Sequence, residues 1–116
     1  MKKTLILIIS ILAITGMTSA VYAGTYTGST GSVAIGTTSD TGGQLTANLS
    51  PGVAASVITD SKSYGISTVN IKADTDAIGY NLWSGSGSLY MKAFSSTPTA
   101  ADTPSLTGEI SGYNSK

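Results

Sequence analysis

The chain of 116 residues contains no cysteine and no histidine, and no arginine occurs anywhere along it. Without cysteine there is no disulfide framework, thiolate nucleophile, haem attachment or thiolate zinc site. Without histidine there is no Ser-His-Asp triad and no side chain whose ordinary pKa lies near neutrality. Most hydrolytic mechanisms are closed by these absences, and the sequence reads as a non-enzyme. Glycoside hydrolysis needs only two carboxyl groups and passes this filter. The one glutamate, Glu109, sits among terminal polar residues and reads more simply as a solvated side chain.

Charge is scarce too, at 10% of residues. Lys2 and Lys3 belong to an N-terminal segment, MKKTLILIISILAITGMTSAVYA, that has the form of a secretory signal peptide. A positive start, an apolar stretch from Leu5 to Ile14 and small residues at the expected cleavage site define it, and the apolar stretch is short for a membrane span. Cleavage is expected after Ala23, with Ala20 as the alternative, and no cysteine supports a lipid anchor. The exported part then carries Lys62, Lys72, Lys92 and Lys116 against Asp40, Asp60, Asp74, Asp76, Asp102 and Glu109, a net side-chain charge of −2. Four unclustered lysines leave no electrostatic footprint for nucleic acid. The expected location is extracellular, cell-surface or periplasmic, with no transmembrane segment in the exported chain.

Nearly half of residues 24–116 are Gly, Ser or Thr, yet aliphatic residues recur at steady spacing. That combination predicts one small all-β domain, an antiparallel sandwich or open barrel. Residues 24–43 read as a flexible Gly/Ser/Thr-rich lead-in with one short strand at Ser32 to Gly36, and residues 44–116 as the β domain. In QLTANLS and VAASVIT the aliphatics alternate, and Pro51-Gly52 between them reads as a hairpin turn. SYGISTVNIK is a longer strand whose alternation switches parity between Ile66 and Val69. Either a bulge near Ser67 or Thr68 or burial on both faces reconciles it. AIGYNLW and SLYMKAF, joined by SGSG, form a second hairpin, and Leu106 with Ile110 suggest a short terminal strand.

The candidate site residues are few. Trp83, Tyr80, Tyr90 and Phe94 would form an aromatic platform for a sugar ring if they were not core or interface packing. Asp74 and Asp76 have the spacing with which calcium loops begin, but Ile78 and Gly79 do not continue such a loop, and an Asx-type turn is the alternative. No cofactor is expected otherwise.

The stretch LSPGV, a polar gap and then SYGISTVNIKADTDAIGYNLW together resemble small secreted Ser/Thr/Gly-rich bacterial β proteins of unassigned function. Those combine a signal peptide, an L-S-x-x-V strand and a Y-x-x-x-T strand. Where a His or a Gly-Asn-Lys turn would follow the Tyr strand, this chain has Asn70 and ADTD, so no site residue carries over. The resemblance implies an exported β protein and no particular activity. The expected function is structural: a self-associating subunit at the cell surface or outside it, partnered with itself or another extracellular protein through edge strands. The segment Gly24 to Thr38 is a candidate donor for such pairing. A small carbohydrate- or calcium-binding module is the alternative.

Overall fold

The computed structural model describes residues 23–29, 31–37, 43–73 and 76–115. The expected leader, apart from Ala23, lies outside the described residues, as do Asp40 and Asp74. The described residues are all-β and contain no helix. The strands are β1 (Gly24–Gly28), β2 (Ser32–Ile35), β3 (Leu45–Asn48), β4 (Val53–Thr59), β5 (Tyr64–Asn70), β6 (Ile78–Trp83), β7 (Tyr90–Ala93) and β8 (Asn114–Ser115). An antiparallel six-stranded sheet runs in the order β1-β4-β5-β6-β7-β8, and β2 pairs with β3 in a separate two-stranded hairpin. The sheet stays open, and the hairpin packed against it makes the whole sandwich-like.

The register explains which side chains meet. Tyr26, Val57, Ile66 and Leu82 lie side by side across four strands, with Ala55 and Val53 further along β4 on the same face. Onto this face the hairpin lays Val33, Ile35, Ala47 and Leu49, and these eight buried aliphatics from Val33 to Ile66 form the main core with Tyr26, Leu45, Tyr64 and Leu82 at its margin. Each fully buried Val, Leu or Ile among them contributes about 1.5–3 kcal/mol of transfer free energy, and the two alanines less. In a domain with no disulfide, this layer is the principal source of stability.

The opposite face is covered differently, by the irregular segment 95–113. Gly65 and Gly79 on that face let the cover approach closely. A Cβ at Gly65 would collide with the Ser105 carbonyl, and one at Gly79 would come within 2.5 Å of the Tyr113 hydroxyl. The Ser67 hydroxyl donates to the Asp102 carbonyl, and Lys92 Nζ reaches Asp102 Oδ2 at 2.9 Å. Pro98, Pro104 and Tyr113 are buried beneath the cover's outer surface.

Several expectations change on meeting this architecture. Pro51-Gly52 does turn the chain, with Val53 N donating to Ser50 O at 3.0 Å and Gly52 at φ 81°. The segments it joins do not form a hairpin, however, because β3 pairs with β2 while β4 pairs with β1 and β5. Proline followed by a left-handed glycine gives a turn of type II form, whose twist splays flanking strands, so the chain turns a corner between layers here. Strand β5 shows no bulge: its pairing runs unbroken from Tyr64 to Asn70, and both faces are buried. The parity switch reflects two cores, Ile66 in the hairpin-side cluster and Val69 in a smaller one with Ala54 and Ala77. Leu106 and Ile110 lie in the cover, not in a strand; the terminal strand is Asn114–Ser115. Local bonds shape the cover instead, Thr107 N to Ser105 Oγ and Tyr113 N to Ile110 O. The stretch expected to be a mobile lead-in supplies two strands, β1 and β2, of which only the second had been read from the sequence.

Candidate functional site

The four aromatic residues singled out in the sequence fall into three places. The hairpin of β6 and β7 pairs Ile78 with Ala93 and Asn81 with Tyr90, so Trp83 and Tyr90 project from the same face near its loop. Their ring centroids lie 4.8 Å apart at an interplanar angle of 38°. Tyr80 projects from the other face and is buried. Phe94 lies beyond the far end of β7, where Lys92 Nζ stands 4.7 Å from its ring centre and 5.6 Å from that of Tyr113. A single platform of four rings is therefore not formed; two-residue alternation divides Tyr80 from Trp83, and the length of the hairpin divides Phe94 from Trp83.

Trp83, but not Tyr90, is among the residues lining a cleft of about 220 Å³ at the end of the sheet where β5 begins and β6 ends. Tyr64, Leu82 and Trp83 line one part of it, and the loop residues Ser84, Ser86, Gly87, Ser88 and Leu89 the rest. The loop is seated by backbone bonds, Ser84 N to Tyr64 O at 2.9 Å and Ser86 N to Trp83 O at 2.8 Å. Ser86 braces it further: its hydroxyl donates to the Ser88 carbonyl and accepts from Ser88 N. No charged side chain lines the cleft. Burial pushes the Tyr64 phenol above its ordinary pKa of 10.0, so it remains a neutral donor through the physiological range. Tyr64 is not among the aromatic candidates that the sequence singles out. Its place beside the loop depends on the pairing of β5 with β6, which no local pattern announces.

A second, larger hollow of about 380 Å³ lies between the end of β1, β4 and the start of the cover, lined only by small residues from Thr27 to Ala101. It holds no aromatic or ionisable side chain.

Of the two calcium candidates, Asp76 is exposed and Asp74 is outside the described residues. No group of three or more potential metal-ligating side chains occurs among the described residues. Among the described residues, Asx turns occur at Asp60 and Asn70. Asp60 Oδ1 accepts from Lys62 N and Ser63 N in the β4–β5 hairpin, and Asn70 Oδ1 accepts from Lys72 N and Ala73 N after β5.

The cover face holds the groups sequence reasoning missed. Ser56, Ser67 and Asn81 are adjacent in register across β4, β5 and β6 and all are buried. Only Ser67 finds a partner in the cover; Ser56 Oγ and both polar atoms of Asn81 have none among the described residues. Tyr113, beside them, has its phenol pKa raised by burial and by the nearby Asp102 carboxylate, although the two side chains are not in hydrogen-bond geometry.

Edges complete the inventory. At one side of the sheet β1, sequence GTYTG, has no strand beyond it among the described residues, and Thr25 and Thr27 are exposed. At the other side β8 covers only Tyr90 and Met91 of β7, next to Lys92. Comparison of the chain with known protein families, curated proteins and solved structures yields no match.

Proposed function

We propose that the protein is an exported, non-catalytic assembly subunit whose copies join edge to edge through β1. The observation that carries this reading is the composition and position of that strand. An edge strand presents unpaired N–H and C=O groups, and proteins that stay apart protect such edges with lysine, proline, bulges or a covering segment. GTYTG carries none of the first two, pairs without interruption with β4 and has no strand on its outer side among the described residues. The other end of the sheet differs: its edge is shortened to two residues and bears Lys92 nearby.

The expected leader cleavage, between Ala23 and Gly24, falls immediately before β1. Export would thus leave the strand as the new N-terminus, at the rim of the sheet. Two such edges related by a two-fold axis pair antiparallel, each strand being both donor and acceptor, which is the isologous arrangement of a closed dimer.

Light scattering on the exported chain tests the proposal. Its mass should rise with concentration from one copy to two, and the double variant Thr25→Lys, Thr27→Lys should remain a single copy with unchanged melting. A parent chain that stays single at all concentrations, or a double variant that associates as the parent does, overturns it.

A further inference from the structure

The direction in which each backbone group of β1 points follows from the bonds at the two ends of the β4–β5 ladder. Asp60 N donates to Ser63 O at 2.9 Å, and Ile71 N to Gly52 O at 2.7 Å. Bonded and non-bonded pairs alternate in an antiparallel ladder, so Ala54, Ser56 and Ile58 turn their N–H and C=O groups toward β5, and Ala55, Val57 and Thr59 turn theirs toward β1. Those last three stand opposite Gly28, Tyr26 and Gly24. The backbone groups of Thr25 and Thr27 therefore point out of the sheet, where no strand lies among the described residues.

We propose that two copies join at β1 in a single register, with Tyr26 on the two-fold axis facing the partner's Tyr26. The register rests on the edge-to-edge association proposed for β1 and adds to it which residues meet. Antiparallel pairing about Tyr26 sets Thr25 against the partner's Thr27, and every outward N–H and C=O of the two strands then has a partner. A two-fold axis at Thr25 or Thr27 instead would leave the other threonine of each strand beyond the end of the partner's β1. The residues of the strand fit the symmetric register. Gly24-Thr25-Tyr26-Thr27-Gly28 reads the same in both directions, so a two-fold axis through its centre lays glycine on glycine, threonine on threonine and tyrosine on tyrosine.

The two faces of the joint differ in character. Thr25 and Thr27 are exposed on the side of the cover, and their side chains meet as cross-strand threonine pairs, a favourable combination. Tyr26 stands beside Val57 on the hairpin side and is only partly buried, at the margin of the main core. Its ring lies back over Gly24, where a Cβ would stand 2.9 Å from the phenol oxygen. With glycine two residues away on either side, no other side chain of β1 shares this face with the ring, and pairing with its copy buries aromatic surface that one copy leaves at its rim.

Because the chain has no cysteine, one introduced thiol per copy reports the register. Cα atoms lie about 4.5 Å apart in a non-hydrogen-bonded antiparallel pair and about 5.5 Å apart in a hydrogen-bonded one, both within the span of a disulfide. Thr25 and the partner's Thr25 would be about 8 Å apart, two residues of stagger across one strand spacing, which a disulfide does not span. The exported chain carrying Tyr26→Cys, oxidised at a concentration where copies pair, is expected to convert almost completely to a covalent pair. Thr25→Cys alone and Thr27→Cys alone should stay unlinked, whereas an equimolar mixture of the two should link. If Tyr26→Cys fails to fold, the mixture of the two exposed-site variants decides. Linkage of Thr25→Cys or of Thr27→Cys with itself overturns this register and leaves pairing at β1 standing. A chain that light scattering finds as two copies but that none of these variants links is joined elsewhere, and a chain that stays single overturns both proposals.

Discussion

The two faces of the six-stranded sheet are closed in different proportions of apolar and polar contact. Against the hairpin, the sheet presents Val53, Ala55, Val57 and Ile66, and the closing layer answers with Val33, Ile35, Ala47 and Leu49. Against the cover, it presents Ser56, Ser67 and Asn81 between two glycines, beside a smaller apolar cluster of Ala54, Val69 and Ala77, and the closing layer answers with one carbonyl, one ion pair, a tyrosine ring and the side chains of Phe94 and Ala101. The first closure is non-directional and proportional to apolar area. The second depends on geometry, because a buried polar atom that misses its partner is destabilising. The hairpin face therefore carries the larger share of apolar burial, while the polar contacts of the cover face fix where the C-terminal segment lies.

Substitutions can break that contrast. The largest effect is expected from Ile66→Ala, which empties a fully packed site in the hairpin-side core and should cost about 2–5 kcal/mol in denaturant unfolding. Gly65→Ala comes next: the new methyl meets the backbone of Ser105, which has no rotamer to relieve it, and about 1–3 kcal/mol should be lost. Amide shifts in that variant should change along 102–106 and remain fixed in β2 and β3. Asn81→Leu should behave in the reverse sense from ordinary core damage. It removes two unpartnered polar atoms while keeping the shape, so stability should remain within about 1 kcal/mol of the parent or rise.

A smaller effect separates the faces by pH. The Tyr113 phenol is raised above its ordinary value of 10.0 in the folded chain, by burial first and by Asp102 second. A raised phenol contributes stability that is fully present below the unfolded value and lost as pH climbs toward the folded one. Unfolding free energy measured from neutral to alkaline pH should hold to about pH 10 and fall above it. Tyr113→Phe should flatten part of that fall.

What could be read from the sequence follows the same division. The β6–β7 hairpin is visible because SGSG sits between two alternating runs, and β4 and β5 because β-branched residues are dense there. The partner of β3 is not visible, since Pro51-Gly52 looks like a hairpin turn whichever strand follows it. Strand β1 was hidden by its own glycines, although Thr25, Tyr26 and Thr27 have the right residue types. The cover was hidden because its bonds are long-range: Ser67 lies 35 residues from Asp102, and neither residue signals the other. At the candidate cleft Trp83 stood out by rarity. Tyr64 joined it only through the pairing of Gly65 with Trp83.

Concentration dependence at a single strand tests the functional account most directly. Amide hydrogen exchange of the exported chain, measured dilute and concentrated, should show slowing on concentration at Thr25, Tyr26 and Thr27, with the amides of β7 and β8 unaffected. If the β1 amides exchange at the same rate in both conditions, or if slowing appears only at β7 and β8, then β1 is not where copies meet.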